Sequence, residues 1–367
     1  MSERIGRLRS RFELLGIDAL LVTAAPNIRW LTGFSGSNGI VLVGAEVVLL
    51  VTDARYTLQA AAETEKAGVD VDLRITNDAL AEVAAVLDRG ARLGIESDDL
   101  SVTRLRQVEQ VVAAEIVATT GEIETLRQDK TAAEIELLAR ASTMADDAFT
   151  AVWALLGERL VPGITERRVA AELDHLIRLA GADGPSFETI VASGPNGSRP
   201  HARPSDRVVE AGDLVVLDFG ARLEGYGSDM TRTIVAGACP SERQLDLYDA
   251  VLTAQRAGVA AVADGVPELA IDRACRDVLE ARGLGEAFSH GTGHGIGLEI
   301  HEQPILSTRS VGILRAGLVI TVEPGIYLPD FGGIRVEDSV VVTSEGCIPI
   351  THSPKGLVPT FRESAPS

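Results

Sequence analysis

Two domains are predicted, an α/β domain over residues 1–124 followed by an α+β domain over 125–367 that contains an internal pseudo-two-fold duplication. Three observations carry this. Strand-like and helix-like segments alternate as far as about residue 118, a polar stretch GEIETLRQDK then interrupts the pattern, and blocks of the remainder repeat at offsets of 102 and 105 residues. A chain of 367 residues with 46% apolar side chains has the material for two cores.

In the first domain the apolar runs IDALLVT, GIVLVG, VVLLVT, VDVDLRI and RLGIES read as strands. The segments YTLQAAAETEKAG, ALAEVAAVLDRG and TRLRQVEQVVAA between and after them read as helices. GAE at 44–46 joins two apolar runs as a hairpin turn, so a mixed sheet is expected. Asp53 and Arg55 read as turn and surface residues, and no catalytic cluster stands out in this half. A long amphipathic helix is expected from near Thr131, with Ile135, Leu138, Ala139, Ser142, Ala145, Phe149 and Val152 at helical spacing.

The duplication follows. GITERRVAAELDHLIRLAG at 163–181 matches GVPELAIDRACRDVLEARG at 265–283 in the opening Gly, the Glu at the fourth position, several apolar positions and the closing Gly. AGDLVVLDFG at 211–220 aligns without a gap on AGLVITVEPG at 316–325 and pairs Asp218 with Glu323. Each repeat then offers a second carboxylate on the following strand, Asp229 in YGSDMTRTIV and Glu337 in GIRVEDSVVV.

Composition narrows the function. A formal charge of −19 leaves no excess of Lys or Arg for phosphates, so neither nucleic acid nor an acidic membrane surface is an expected partner. The charged N-terminal segment does not read as a secretory signal, and the longest apolar stretch, at 39–51, is broken by Glu46 and too short to span a bilayer. Three cysteines without CxxC spacing support neither a disulfide framework nor a thiolate zinc site, which fits a reducing cytoplasm.

The acids at the ends of LVVLD and VITVE pose an electrostatic problem. A carboxylate beside a buried strand must be paired or become neutral. Arg335, two residues before Glu337 and on the same strand face, is the one evident basic neighbour for four acids, and a pair of divalent metal ions answers the remaining charge. Imidazole is at hand in SHGTGHGIGLEIHE at 289–302, where His290, His294 and His301 lie among glycines at 291, 293, 295 and 297. Those glycines argue against a helix and for close backbone approach in loop and turn geometry. His201 lies in PNGSRPHARPS, a loop stiffened by prolines.

Taken together, LDFG, SDMTRT, HGTGHGIGLEIHE, VEPGIY and GIRVED resemble, in order and over essentially the whole chain, the Xaa-Pro dipeptidases (prolidases) and aminopeptidases P. Those enzymes share the pita-bread fold with methionine aminopeptidases. The resemblance implies a creatinase-like N-terminal domain, a pita-bread metallopeptidase domain, and Asp218, Asp229, His294, Glu323 and Glu337 as metal ligands. It assigns Asp229 and Glu337 to both ions, Asp218 to one, and His294 with Glu323 to the other. Mn²⁺ is the usual metal of that family, and Zn²⁺, Co²⁺ and Fe²⁺ suit similar ligands. Metal-assisted hydrolysis is implied, with Glu323 as proton shuttle, His301 and His201 on the substrate carbonyl, His290 lining the proline pocket and Arg335 balancing the acids. The implied substrate is a small peptide with proline at the second position, and the implied assembly is a homodimer.

Blander readings stand beside these. Asp218 alone is a turn residue or cap, and its pairing with Glu323 reverses that. His175 and His352 read as surface residues, and Asp338 faces away from Glu337. Competing functions are a methionine aminopeptidase, disfavoured by the N-terminal domain and the SRPHARPS loop, and a non-catalytic peptide-binding relative, disfavoured by the full ligand set. Dipeptidase is preferred to aminopeptidase P on compact length alone.

Overall fold

Residues 2–157 and 160–358 are described by a computed structural model, whose chain divides into two compact units, Met1–Arg127 and Gln128–Ser367. The boundary expected after residue 124 falls inside a helix, Glu122–Gln128.

The first unit is built on a six-stranded mixed sheet. Its strands are β1 (Ala19–Val22), β2 (Gly39–Gly44), β3 (Val48–Thr52), β4 (Asp72–Ile75), β5 (Arg92–Glu96) and β6 (Glu115–Thr119), in the order β4-β3-β2-β1-β5-β6. β1–β2 and β2–β3 are antiparallel, and β3–β4, β1–β5 and β5–β6 are parallel. The two apolar runs at 39–51 thus become a buried hairpin, closed by Gly44 N–H donating to Val47 O (2.9 Å). Strand β6 escaped the sequence reading because its EIVAT run is short and mostly half-exposed. Leu21, Leu42, Leu49, Leu93, Val83 and Val108 form the core between sheet and helices. Asp53 caps a short 3₁₀ turn by accepting from Arg55 N–H (2.9 Å) and pairs with the Arg55 guanidinium (2.7 Å).

The second unit repeats one design twice. It opens on the expected long helix, Ala132–Leu156, whose Thr131 and Glu134 form a reciprocal capping box. That helix and Glu166–Leu179 cover a three-stranded antiparallel sheet with Leu214–Phe219 at its centre, flanked by Ile190–Ser193 and Met230–Val235. The second copy has helices Glu242–Ala261 and Glu268–Ala281 over Val319–Val322, flanked by Gly293–Gly295 and Asp338–Thr343. The apolar register repeats with it. Val169, Leu173 and Ile177 on one short helix, and Ile271, Cys275 and Leu279 at the same places on the other, are all wholly buried in the cores of their respective halves. The halves meet where Glu337 N–H donates to Thr231 O (3.2 Å) and Thr233 Oγ1 donates to Arg335 O (2.9 Å).

Candidate metal centre

The four acids converge because they occupy equivalent places in the two halves. Asp218 is the fifth residue of the central strand Leu214–Phe219, and Glu323 immediately follows Val319–Val322. Asp229 and Glu337 were expected on strands; each instead sits one residue ahead of one, before Met230–Val235 and Asp338–Thr343. There the chain leaves the ladder and a carboxylate can turn inward. Oxygens of Asp218, Asp229 and Glu337 lie within 4.8 Å of one another.

His294 joins them from a three-residue strand, Gly293–Gly295, where the sequence suggested a loop. The flanking strands explain both the strand and its glycines. A Cβ on Gly293 would lie 2.0 Å from Thr321 O, and one on Gly295 would lie 2.3 Å from Gln303 O. His294 Nε2 is 3.4 Å from Glu323 Oε1 and 3.6 Å from Asp229 Oδ2. Its Nδ1 is 3.0 Å from Gly295 O, which can only accept, so the proton is on Nδ1. Burial holds the ring pKa down at about 4, so in the neutral ring the Nε2 lone pair points at carboxylate oxygens.

Charge in this pocket is poorly matched by protein groups alone. Burial, and after it the carboxylates of Glu337 and Asp218, push Asp229 well above the ordinary carboxylate range. Burial and Glu337 do the same to Glu323, while burial and Asp218 raise Glu337 to about 8. Arg335 is the cation in their midst, 3% exposed, and donates to Asp218 Oδ2 (2.5 Å), Thr231 Oγ1 (3.0 Å) and Tyr327 Oη (2.6 Å). Burial opposes its charge, and Tyr327, Asp218, Glu323 and Glu337 outweigh burial and raise its pKa. Glu337 Oε2 accepts from Thr231 Oγ1 (2.6 Å). Asp218 Oδ1 and Glu337 Oε1 are buried with no hydrogen-bond partner among the described residues. Two orphaned carboxylate oxygens and a bare imidazole lone pair, all directed into one acidic pocket, fit the donor set of a divalent cation site.

The centre lies in the wall of a cavity of about 630 Å³. His201, His290 and His301 line it too, from three different loops, so all the predicted histidines reach the same space. His301 packs edge-on against His294 with ring centroids 4.4 Å apart, and burial lowers its pKa. His290 is half-buried, and burial, then Arg335, hold it down at about 4. Its Nδ1 donates to Gly291 O (2.7 Å), leaving Nε2 to accept from Tyr327 O–H (2.9 Å). An unbroken chain therefore runs from Asp218 through Arg335 and Tyr327 to His290. The tyrosine of VEPGIY carries no signal of this role in the sequence, since nothing in its spacing reveals that the hydroxyl meets an imidazole 37 residues away. Thr231 and the apolar cavity wall of Phe187, Ile190, Ile300 and Ile305 were likewise missed from the sequence. Asp338 lies outside the centre as expected, paired with Arg232 (3.0 Å) and Lys355 (2.6 Å). His175 and His352 are exposed.

Residues 136–344 match metallopeptidase family M24, and residues 4–128 match the creatinase/prolidase N-terminal domain. A solved structure described as an Xaa-Pro dipeptidase from Bacillus anthracis is 41% identical, with a TM-score of 0.91 over 97% of this chain and 99% of that one. The Xaa-Pro dipeptidase of Pyrococcus furiosus is 36% identical over 98% of this chain and all of its own length. An X-Pro aminopeptidase from Thermotoga maritima is 34% identical, with a TM-score of 0.86 over 95% of this chain and 99% of that one.

Proposed function

We propose that this chain, which belongs to metallopeptidase family M24, hydrolyses the bond between an N-terminal residue and a proline in second position, acting as an Xaa-Pro dipeptidase. The observation that carries the reading is the pocket of four converging carboxylates and one neutral imidazole, set in a cavity of about 630 Å³. The full-length likeness to Xaa-Pro dipeptidases supports the substrate class.

In this reading Asp218, Asp229, His294, Glu323 and Glu337 hold two divalent ions, with Mn²⁺ the first to test. When bound, such a pair supplies Lewis-acid activation of water and of the scissile carbonyl. The chain's own residues do the rest. Glu323, whose Oε1 lies 3.4 Å from His294 Nε2 at the cavity wall, would take a proton and return it to the leaving nitrogen. His301 and His201 line the cavity from different loops and would steady the substrate carbonyl oxygen as charge develops on it. His290, packed on Phe288 and tied to Tyr327, forms the side of the proline pocket. Arg335 opposes the upward shift of Asp229, Glu323 and Glu337 and holds Asp218 close. Proline calls for a dedicated site because its ring removes the amide N–H that extended-backbone binding uses.

The two solved-structure likenesses differ in activity, so aminopeptidase P is the second reading. Assay of the Mn²⁺-loaded enzyme on Ala-Pro, Ala-Pro-Ala-Ala and Met-Ala separates the readings. Cleavage of Ala-Pro is expected; cleavage of the longer peptide alone establishes the aminopeptidase, and cleavage of Met-Ala alone sinks both. The free cysteines fit a cytoplasmic setting, and a homodimer is expected by size-exclusion with light scattering. No helix among the described residues is long and apolar enough to cross a membrane.

A further inference from the structure

We propose that Glu166 is a positioning residue that holds His201 at the cavity, an inference that rests on the substrate-facing role read for His201 above. The duplicated helices each begin their match with a glutamate at the fourth position, Glu166 and Glu268, and nothing in the metal centre uses either one. Glu166 is wholly buried in the first turn of its helix, whose cap is Thr165. An acid at that place is ordinarily read as a complement to the helix dipole, exposed and bonded locally. Glu166 is neither exposed nor bonded to its own helix by its side chain.

Among the described residues, every hydrogen bond to its carboxylate comes from the segment 193–205. Oε1 accepts from Ser193 N–H (2.7 Å), Ser193 Oγ (2.8 Å) and Asn196 Nδ2 (3.1 Å). Oε2 accepts from Asn196 Nδ2 (3.0 Å), Ser205 N–H (3.1 Å) and Ser205 Oγ (2.6 Å). One buried anion therefore closes both ends of the loop whose far side presents His201 to the cavity. Two further restraints act on that far side. Arg335 donates to Pro200 O (3.3 Å), the residue before His201. Gly197 and Gly333 pack backbone to backbone, so closely that a Cβ on Gly333 would lie 2.1 Å from Gly197 O. Pinned at its base by Glu166 and at its crown by the strand that carries Arg335, the loop has little freedom left to lose when substrate arrives.

The second copy uses the same acid in the same way and more weakly. Glu268 accepts from one backbone N–H, that of Gly312 (3.2 Å), in the loop that follows the Glu302–Leu306 strand. A duplicated glutamate thus ties a loop in each half, and the half that presents His201 has the fuller clamp.

Replacement by the isosteric amide is informative because the two backbone donors sit on different oxygens. Whichever oxygen of Glu166 becomes an NH₂ in Glu166→Gln, one backbone N–H, of Ser193 or of Ser205, loses its acceptor. The test is a double-mutant cycle on the Mn²⁺-loaded enzyme with Ala-Pro, pairing Glu166→Gln with His201→Ala, together with metal analysis and amide exchange over 193–205. Glu166→Gln is expected to keep its metal, to exchange faster at Ser193 or Ser205, and to lower kcat by as much as about 10²-fold, the scale of a misplaced catalytic contact. In the His201→Ala background the same substitution should add nothing to the loss in kcat. Ser205→Ala, which deletes one donor and leaves the buried acid bonded, is the milder companion and should show a smaller loss with the same dependence on His201. An equal loss with and without His201 overturns the inference, as does unchanged kcat when loop protection has been lost. Full activity of His201→Ala alone overturns the role read for His201, and this inference with it.

Discussion

Raising the pH of the metal-free protein should destabilise it, in a direction opposite to what an ordinary acidic protein with paired carboxylates shows. Glu337 is 1% exposed, and burial, then Asp218, push its pKa up to about 8 from an ordinary 4.5. A carboxyl raised in this way leaves the folded state fully stable while both states are protonated, and stability falls as pH climbs through the folded value. Histidines buried as neutral rings act in reverse. His290 and His294, both near 4 in the fold, make stability rise with pH until the unfolded imidazoles have lost their protons at about 6.5. Over the window from pH 6.5 to 8 the three raised acids dominate, while His290, His294 and His301, half protonated in the unfolded chain at 6.5, offset them by an amount that shrinks as pH rises. Across it Glu337 by itself should cost the metal-free protein about 2 kcal/mol, and Asp229 and Glu323 shift in the same direction. For a unit of this size that is a fall in Tm of about 4–8 °C. The assay is thermal unfolding of chelator-treated protein in matched ionic strength at pH 6.5, 7.2 and 8.0, repeated with Mn²⁺ and with Glu337→Gln. Mn²⁺ should widen its stabilisation as pH rises, because ligands must shed protons to bind it, and the amide variant should flatten the slope. A metal-free Tm that rises or stays level over this window refutes the reasoning, since the acids would then be ionised at no cost.

Asp229→Asn is expected to lower bound metal below that of the parent protein and to abolish turnover of Ala-Pro, read by metal analysis beside activity. His301→Ala should retain its metal and lose about 10²–10³-fold in kcat, as expected when one oxyanion donor is removed; an enzyme of full activity would show that His301 does not touch the substrate. Tyr327→Phe deletes the hydroxyl between Arg335 and His290 and should cost about 1–3 kcal/mol in chemical denaturation, with a higher KM for Ala-Pro if His290 borders the proline site.

Much of the fold was legible because its signals are local. Alternation marks β1 to β5, and the reciprocal Thr131–Glu134 cap stands at the head of the long helix expected there. The strand β6 was missed for the same reason that others were found: half-exposed residues dilute the apolar run that a reader counts. At the site, His294 was rightly separated from a helix and wrongly placed in a loop. Glycine excludes helix on propensity alone, but it favours a strand here only because Thr321 and Gln303 crowd in from both sides, which no neighbour in sequence reports.

The primary structure determined by itself that an acidic quartet would form. Asp218 and Glu323 hold matched places in a repeated block, at the ends of buried apolar strands that enclose them on most sides, and acids so enclosed in matched halves need a cationic partner or lose their charge. Tertiary structure alone decided what surrounds the quartet. Tyr327 meets His290, Glu166 closes the loop of His201, and Thr231 hydrogen-bonds Glu337 across 106 residues of chain. The reason is physical: a side chain's charge and size are written at its own position, whereas the hydrogen bond it makes depends on which distant backbone the packing of two half-sheets brings within 3 Å.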